Sequence, residues 1–121
     1  FWVRGGPIEQ RLEQVGREAA AHSEPPFLLP FRPDGRNDKV RPLIELHDEV
    51  IELSAFKQAH TGEEFILRLF EPTGRSRSTV MEIPFLGIRK RLRLKGFEVK
   101  TYRIDPRAGT LKEVSLTEHE L

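Results

Sequence analysis

The spacing of apolar residues changes once along this chain, near Pro42. Before that point, apolar side chains recur at helical intervals: Ile8, Leu12, Val15 and Ala19. They fall on one stripe of an α-helix, for which Pro7 is a suitable first position. Because the Pro25-Pro26 pair disfavours helical backbone, the pattern predicts an amphipathic helix over residues 8–22.

Proline dominates the segment that follows this helix. Residues 24–42 contain five prolines and Gly35 among scattered charges, which is typical of an extended connector rather than of a packed element. We expect this Pro-rich arm to be held in place by its apolar side chains, Phe27, Leu28, Leu29 and Phe31.

After Pro42, apolar and polar residues alternate with a period of two, which is the pattern of half-buried β-strands. Turn-forming phrases such as Pro72-Thr73-Gly74 separate the alternating segments, which are residues 43–46, 50–56, 65–70, 78–83, 88–94, 97–104 and 111–116. Six or seven short strands so evenly spaced favour an antiparallel sandwich over parallel βαβ units. We therefore predict a mainly β fold in two regions. Residues 1–42 form a short N-terminal helix and Pro-rich connector, and residues 43–121 form an antiparallel β-sandwich domain.

Length and composition narrow the class of protein. The 121 residues suit one hydrophobic core, and the N-terminus lacks the layout of a signal peptide. No apolar run approaches the roughly 18 residues of a membrane span, so we expect no membrane partner. The absence of cysteine excludes a disulfide framework and fits a reducing compartment, so we expect a cytoplasmic protein. The first residue is Phe1 rather than Met, which suggests a fragment of a longer protein.

Charge is segregated along the chain although the net charge is only +1. Residues 75–107 carry +7 and the remainder −6. The most basic run, residues 89–95, alternates apolar with charged positions. This alternation predicts a strand with one buried face and one solvent-exposed, or wet, face. The wet face would hold Arg89, Arg91, Arg93 and Lys95. Aromatic residues that stack on bases do not interleave with the run, so we expect no nucleic-acid partner.

The sequence offers no constellation for chemistry. Its histidines lie far apart and in no metal-ligand spacing: His22, His47, His60 and His119. His47 and Asp48 are adjacent, and adjacent strand residues point to opposite faces. The acid pair Glu63-Glu64 falls in a turn, where solvated carboxylates are the simpler interpretation. We therefore predict no catalytic residue, no metal site and no cofactor in this chain.

Four phrases in the second region occur in a distinctive order. Residues 50–57 read V-I-E-L-S-A-F-K, residues 65–74 read F-I-L-R-L-F-E-P-T-G, residues 97–104 read F-E-V-K-T-Y-R-I, and residues 111–116 read L-K-E-V-S-L. In this order they resemble the C-terminal sandwich of family 38 α-mannosidases, whose strands carry the phrases S-A-L-K, L-R-L-Y-N-P-T and F-E-I-K-T. Phe56 stands here where that family has leucine, and Glu71 where it has asparagine. The resemblance covers residues 43–116, and it extends to residues 1–42 only by position.

The resemblance implies a parent enzyme that is a zinc-dependent, retaining, exo-acting α-mannosidase. Its N-terminal α/β barrel would bind the zinc and supply an aspartate nucleophile, so this chain alone is expected to be inactive. The expected partners are the rest of the parent chain and, through it, mannosides. Arg68 and Glu71 are the candidates for a contact at the rim of the sugar site or between domains. A homo-oligomer is also plausible, because the near-zero net charge does little to oppose contact between copies.

Two other interpretations fit the same sequence. A stand-alone carbohydrate-binding sandwich would share the fold, but it would need an exposed aromatic platform. A basic module that binds nucleic acid or another anion would use the run of residues 89–95. The length of the encoding gene separates these interpretations from a domain of a larger glycosidase.

Overall fold

A computed structural model of the chain describes residues 3–24, 27, 28, 30 and 42–119. The chain divides into two compact units, Phe1–Pro42 and Leu43–Leu121. Most of the predicted Pro-rich connector, including Leu29 and Phe31, lies outside the described residues. Phe27 and Leu28 are described, and their side chains are exposed rather than packed.

Among the described residues of the first unit there is one helix, α1 (Ile8–Ser23), which confirms the helix predicted from the apolar stripe. No residue of α1 is buried, and the stripe residues Ile8 and Val15 are 73% and 51% exposed. Arg11 and Glu18, which lie about two turns apart on the helix, form an ion pair. Glu18 also accepts a hydrogen bond from Arg4. These two contacts link α1 to itself and to the residues before it through charged side chains.

The second unit is an antiparallel β-sandwich, as predicted. Its seven strands are β1 (Glu45–Leu46), β2 (Glu52–Gln58), β3 (Phe65–Phe70), β4 (Arg77–Ile83), β5 (Ile88–Leu94), β6 (Val99–Asp105) and β7 (Thr110–Val114). One sheet has three strands in the order β1-β4-β5, and the other has four in the order β2-β3-β6-β7. The pairs β2-β3, β4-β5 and β6-β7 are hairpins, and the chain changes sheet between them.

The core of the second unit lies between the two sheets. The three-stranded sheet contributes buried Met81, Ile83, Leu92 and Leu94, and the four-stranded sheet contributes buried Leu67, Leu69, Tyr102 and Ile104. Phe56 and Phe65 stack at the margin of this core, with ring centres 5.5 Å apart. Alternation along each strand therefore separates the core-facing side chains from an outer face on each sheet.

Three strands begin later than the alternation predicts. β1 begins at Glu45 rather than at residue 43. In β2 and β6, turns occupy the first residues of the predicted segments. The Asp48 carboxylate accepts a hydrogen bond from the Val50 backbone N–H at 2.9 Å, so β2 begins at Glu52 rather than at residue 50. Phe97 has a positive φ of 59° and lies in the turn after β5, so β6 begins at Val99. Side-chain hydrogen bonding and left-handed backbone are local features that period-two patterning does not reveal.

Among the described residues, no helix combines the length and the apolar character needed to cross a membrane.

Candidate functional site

Glu71 is a fully buried acidic side chain of the second unit with several hydrogen-bond partners. It follows β3, its side chain is 0% exposed, and backbone N–H groups of Thr73, Gly74 and Phe97 donate to its carboxylate at 3.1, 2.8 and 3.1 Å. The Thr73 hydroxyl donates to the same carboxylate. Arg77 on β4 places its Nε 3.4 Å from Glu71 Oε1. The carboxylate thus ties the end of β3 to β4 and to the turn before β6.

The environment of Glu71 holds it in the ionised form. Burial acts to raise the pKa of the Glu71 carboxyl, but hydrogen bonds from Thr73, Phe97 and Gly74 outweigh it, so the pKa lies below its ordinary value. A carboxylate that accepts several N–H bonds can stay charged in a buried place, because the donors replace the water that it lost. Glu71 is therefore a buried anion that organises backbone around it.

Close backbone packing accompanies this carboxylate. A Cβ added to Gly96 would lie 2.1 Å from the Gly74 carbonyl oxygen, so the backbones at Gly74 and Gly96 are in direct contact. The Phe97 ring lies over Gly74, where an added Cβ would meet it at 2.7 Å. The Phe97 side chain nevertheless remains 68% exposed. The cluster formed by Glu71, Thr73, Gly74, Gly96 and Phe97 is called the Glu71 hub below.

Arg68, the other residue singled out from the sequence, lies on the outer face of the four-stranded sheet. Its Nη2 donates to the Leu116 carbonyl oxygen at 3.0 Å, and its Nε lies 3.4 Å from Thr101 Oγ1. Nearby, Arg103 donates to the Glu118 carbonyl oxygen at 2.7 Å. Arg68 therefore holds the segment that follows β7 against the sheet.

The Glu118 side chain completes the attachment of that segment. It is paired with Lys57 and accepts a hydrogen bond from the His60 backbone N–H at 3.1 Å. The pKa of Glu118 is lowered, first by the hydrogen bond from Lys57 and then by that from His60. Residues 115–119 are thus fixed to the four-stranded sheet by contacts from three of its basic side chains: Lys57, Arg68 and Arg103.

Exposed basic residues occupy the outer face of the three-stranded sheet. Arg89, Arg91 and Arg93 on β5 are exposed, while Leu92 and Leu94 of the same strand are buried. These three arginines therefore form the solvent-exposed face of β5, as the alternation predicts. Lys95, expected on the same face, is exposed but follows the end of the strand. Lys90 lies on the opposite face, and its Nζ is 5.6 Å from the centre of the Tyr102 ring.

The same outer face brings a histidine and two carboxylates together. Glu45 on β1 is the direct partner of Glu82 on β4, and His47 follows two residues after Glu45. His47 Nε2 lies 3.0 Å from Glu82 Oε1. One ligand atom from each of the three residues falls within 4.8 Å of the other two. These three side chains are called the Glu45-His47-Glu82 cluster below.

The sequence alone singled out Arg68 and Glu71. It did not reveal the Glu71 hub or the Glu45-His47-Glu82 cluster. Glu71 was singled out, but its carboxylate has no exposed surface, so a direct contact with a sugar or another domain would fall to its neighbours. The phrase E-P-T-G, with a turn following an acid, was the available signal for the Glu71 hub. Metal-ligand spacing along the chain does not reveal Glu82, because strand pairing is what brings that residue to His47.

Comparison of this chain with family models, with curated proteins and with solved structures returned no match.

Proposed function

We propose that residues 43–121 are the non-catalytic C-terminal β-sandwich domain of a zinc-dependent α-mannosidase of family 38. The observation that carries the proposal is the Glu71 hub, because it physically joins two of the phrases on which the resemblance rests. Glu71, Thr73 and Gly74 belong to the phrase of residues 65–74, and Phe97 begins the phrase of residues 97–104.

The joined phrases lie far apart in the chain, since β4 and β5 of the other sheet separate them. Two phrases of the resemblance remain. Residues 50–57 fall largely on β2, which pairs with β3, and residues 111–116 begin on β7, which pairs with β6. The residues that resemble the family are thus the residues that pair and pack with one another. Short segments that resembled the family only by chance would not be expected to pair and pack together. The arrangement therefore supports the proposal.

In this proposal the domain supports a catalytic barrel that holds the zinc and the nucleophile, and it reaches mannosides only through that barrel. Phe97 is the best candidate for the contact, because it is exposed and its backbone is fixed by Glu71 in a left-handed conformation that bulky residues rarely adopt. Exposed aromatic side chains that are held rigidly are typical anchors of protein interfaces.

The reading frame that encodes this chain gives the first test. Sequencing the transcript upstream should reveal one continuous frame that encodes an α/β barrel with zinc ligands and a candidate nucleophilic aspartate. A stop codon directly upstream, or an unrelated upstream domain, would contradict the proposal.

The full-length protein gives the second test. It should hydrolyse an aryl α-mannoside in a zinc-dependent manner, while the purified chain of residues 1–121 should not. Phe97→Ser in the full-length protein should weaken attachment of the sandwich, seen as easier proteolytic release of the domain and lower activity. Phe85→Ser is the matched control, since Phe85 is another exposed phenylalanine of the sandwich, 52% exposed. Equal effects of the two substitutions would contradict the role given to Phe97.

A further inference from the structure

We propose that Glu45, His47 and Glu82 form a binding site for a divalent transition-metal ion, for which zinc is the best fit. The inference rests on strand geometry and does not depend on the function proposed above. Glu45 and Glu82 are directly opposite each other in the β1-β4 pair. The His47 backbone N–H donates to the Val80 carbonyl oxygen at 3.1 Å, which extends the ladder and places His47 beside Glu45 on the outer face.

The pairing of Glu45 with Glu82 sets two carboxylates opposite each other, and the exposed guanidinium of Arg89 beside Glu82 offsets only part of their repulsion. Like charges directly opposite on one face of an antiparallel pair repel each other and destabilise the sheet. An ion bound by both carboxylates would replace this repulsion with attraction. The register of β1 and β4 therefore creates a place where a cation improves the energy of the fold.

The donor set selects among cations. An imidazole nitrogen with two carboxylate oxygens suits zinc and its neighbours in the first transition row better than magnesium or calcium, which prefer oxygen ligands alone. Tetrahedral zinc with ligands at about 2.0–2.1 Å requires its ligand atoms to be about 3.3 Å apart. His47 Nε2 and Glu82 Oε1 are 3.0 Å apart, so small side-chain rotations suffice for these two ligands. Three protein ligands leave the fourth position of the ion for water.

Arg89 competes for the same carboxylate. Its Nε lies 3.3 Å from Glu82 Oε1, but the Arg89 side chain is 70% exposed. Ion pairs of such exposed side chains contribute little to stability, so the guanidinium can turn into solvent when a metal ion binds. Removal of Arg89 should therefore favour the metal rather than weaken its binding.

Zinc chloride titrated into the whole chain tests the site, with calorimetry for affinity and the imidazole NMR signals for location. We expect one saturable site and a shift of the His47 signals that is complete at one equivalent of zinc. His47→Gln and Glu82→Gln should each weaken binding by about tenfold or more, since even the partners of metal ligands have effects of this size. Glu45→Gln, on the edge strand β1, should also weaken zinc binding. His60→Gln, which removes an exposed histidine elsewhere on the sandwich, should bind as the unmodified chain does.

The backbone amide spectrum of each variant establishes that the fold is retained. Arg89→Gln should bind zinc at least as tightly as the unmodified chain. Absence of saturable binding, or binding that His47→Gln and Glu82→Gln leave unchanged, would overturn the proposal. So would weaker binding by Arg89→Gln, because it would mean that the guanidinium is part of the site rather than its competitor.

Discussion

Individual residues of the sandwich were partly predictable from the sequence. Leu92 and Leu94 are buried and Arg91 and Arg93 are exposed, as alternation requires. The burial of Glu71 was not predictable, because an acidic residue after a strand is ordinarily solvated. Its partners Gly74 and Phe97 come from separate turns, and only the packed structure brings their N–H groups to one carboxylate.

Glu71→Gln should lower the free energy of unfolding by about 1–3 kcal/mol at neutral pH. The amide keeps the shape of the side chain, but it has one oxygen acceptor, and its NH₂ group faces backbone donors that then lack a partner. Chemical denaturation measures the loss. Glu63→Gln is the control, because the Glu63 side chain is 69% exposed and its substitution should change stability by less than about 0.5 kcal/mol. Equal stability of the two variants would show that the Glu71 hub is not needed for the fold.

The same carboxylate predicts a pH dependence. Because the pKa of Glu71 is lower in the folded chain than its ordinary value, its ionisation stabilises the fold fully above that ordinary value, about 4.3. This contribution is lost as the pH falls through that value toward the lower folded pKa. The difference in stability between the unmodified chain and Glu71→Gln should therefore shrink between about pH 5 and pH 3. Denaturation at a series of pH values measures it, and a difference that stays constant to pH 3 would contradict the assignment.

At the scale of elements, alternation predicted the number and order of the strands, and turns decided their ends. Residues 65–70 and 88–94 were predicted with the bounds that the structure has, because turn-forming residues lie on both sides of each segment: Gly62 and Pro72 around the first, Gly87 and Gly96 around the second. The predicted strand over residues 111–116 ends at Val114 instead. There Ser115 accepts hydrogen bonds that begin a turn, from the Glu118 backbone N–H to its carbonyl and from the His119 N–H to its hydroxyl. Which hairpins share a sheet was not predictable, since period-two patterns carry no information on pairing between distant strands.

We predict that the exposed basic residues of β5 do not bind nucleic acid specifically. Arg91→Gln with Arg93→Gln should leave the free energy of unfolding within about 0.5 kcal/mol of the unmodified chain, because both side chains are exposed. Neither form should bind a DNA or RNA oligonucleotide specifically, since no aromatic residues interleave with the basic ones on this strand. Fluorescence anisotropy at two salt concentrations measures binding. Submicromolar, salt-sensitive affinity that the double substitution abolishes would instead support the basic-module interpretation.

At the scale of the whole molecule, both units expose apolar surface. In the first unit Ile8 and Val15 of α1 and the side chains of Phe27 and Leu28 are exposed, and in the second unit Phe85 and Phe97 are exposed. Scattered exposed apolar residues are ordinary, but an amphipathic helix with no buried residue lacks the packing that usually stabilises one. The sequence pattern predicted the helix and its stripe. What the stripe packs against was not predictable, because periodicity identifies a face and not its partner.

We predict that the whole chain self-associates and that residues 1–36 contribute to this. Burial of the α1 stripe and of Phe27 and Leu28 between copies would stabilise association at about 25 cal/mol per Å² of apolar surface, against the entropy of ordering the segment. The segregated charges of +7 and −6 favour a complementary arrangement of two chains over mutual repulsion. Light scattering over a wide concentration range should show a mass that rises with concentration for the whole chain and rises less for residues 37–121. A shortened chain that associates as strongly as the whole one would place the contact on the sandwich, and strictly monomeric behaviour of both would remove the basis for the prediction.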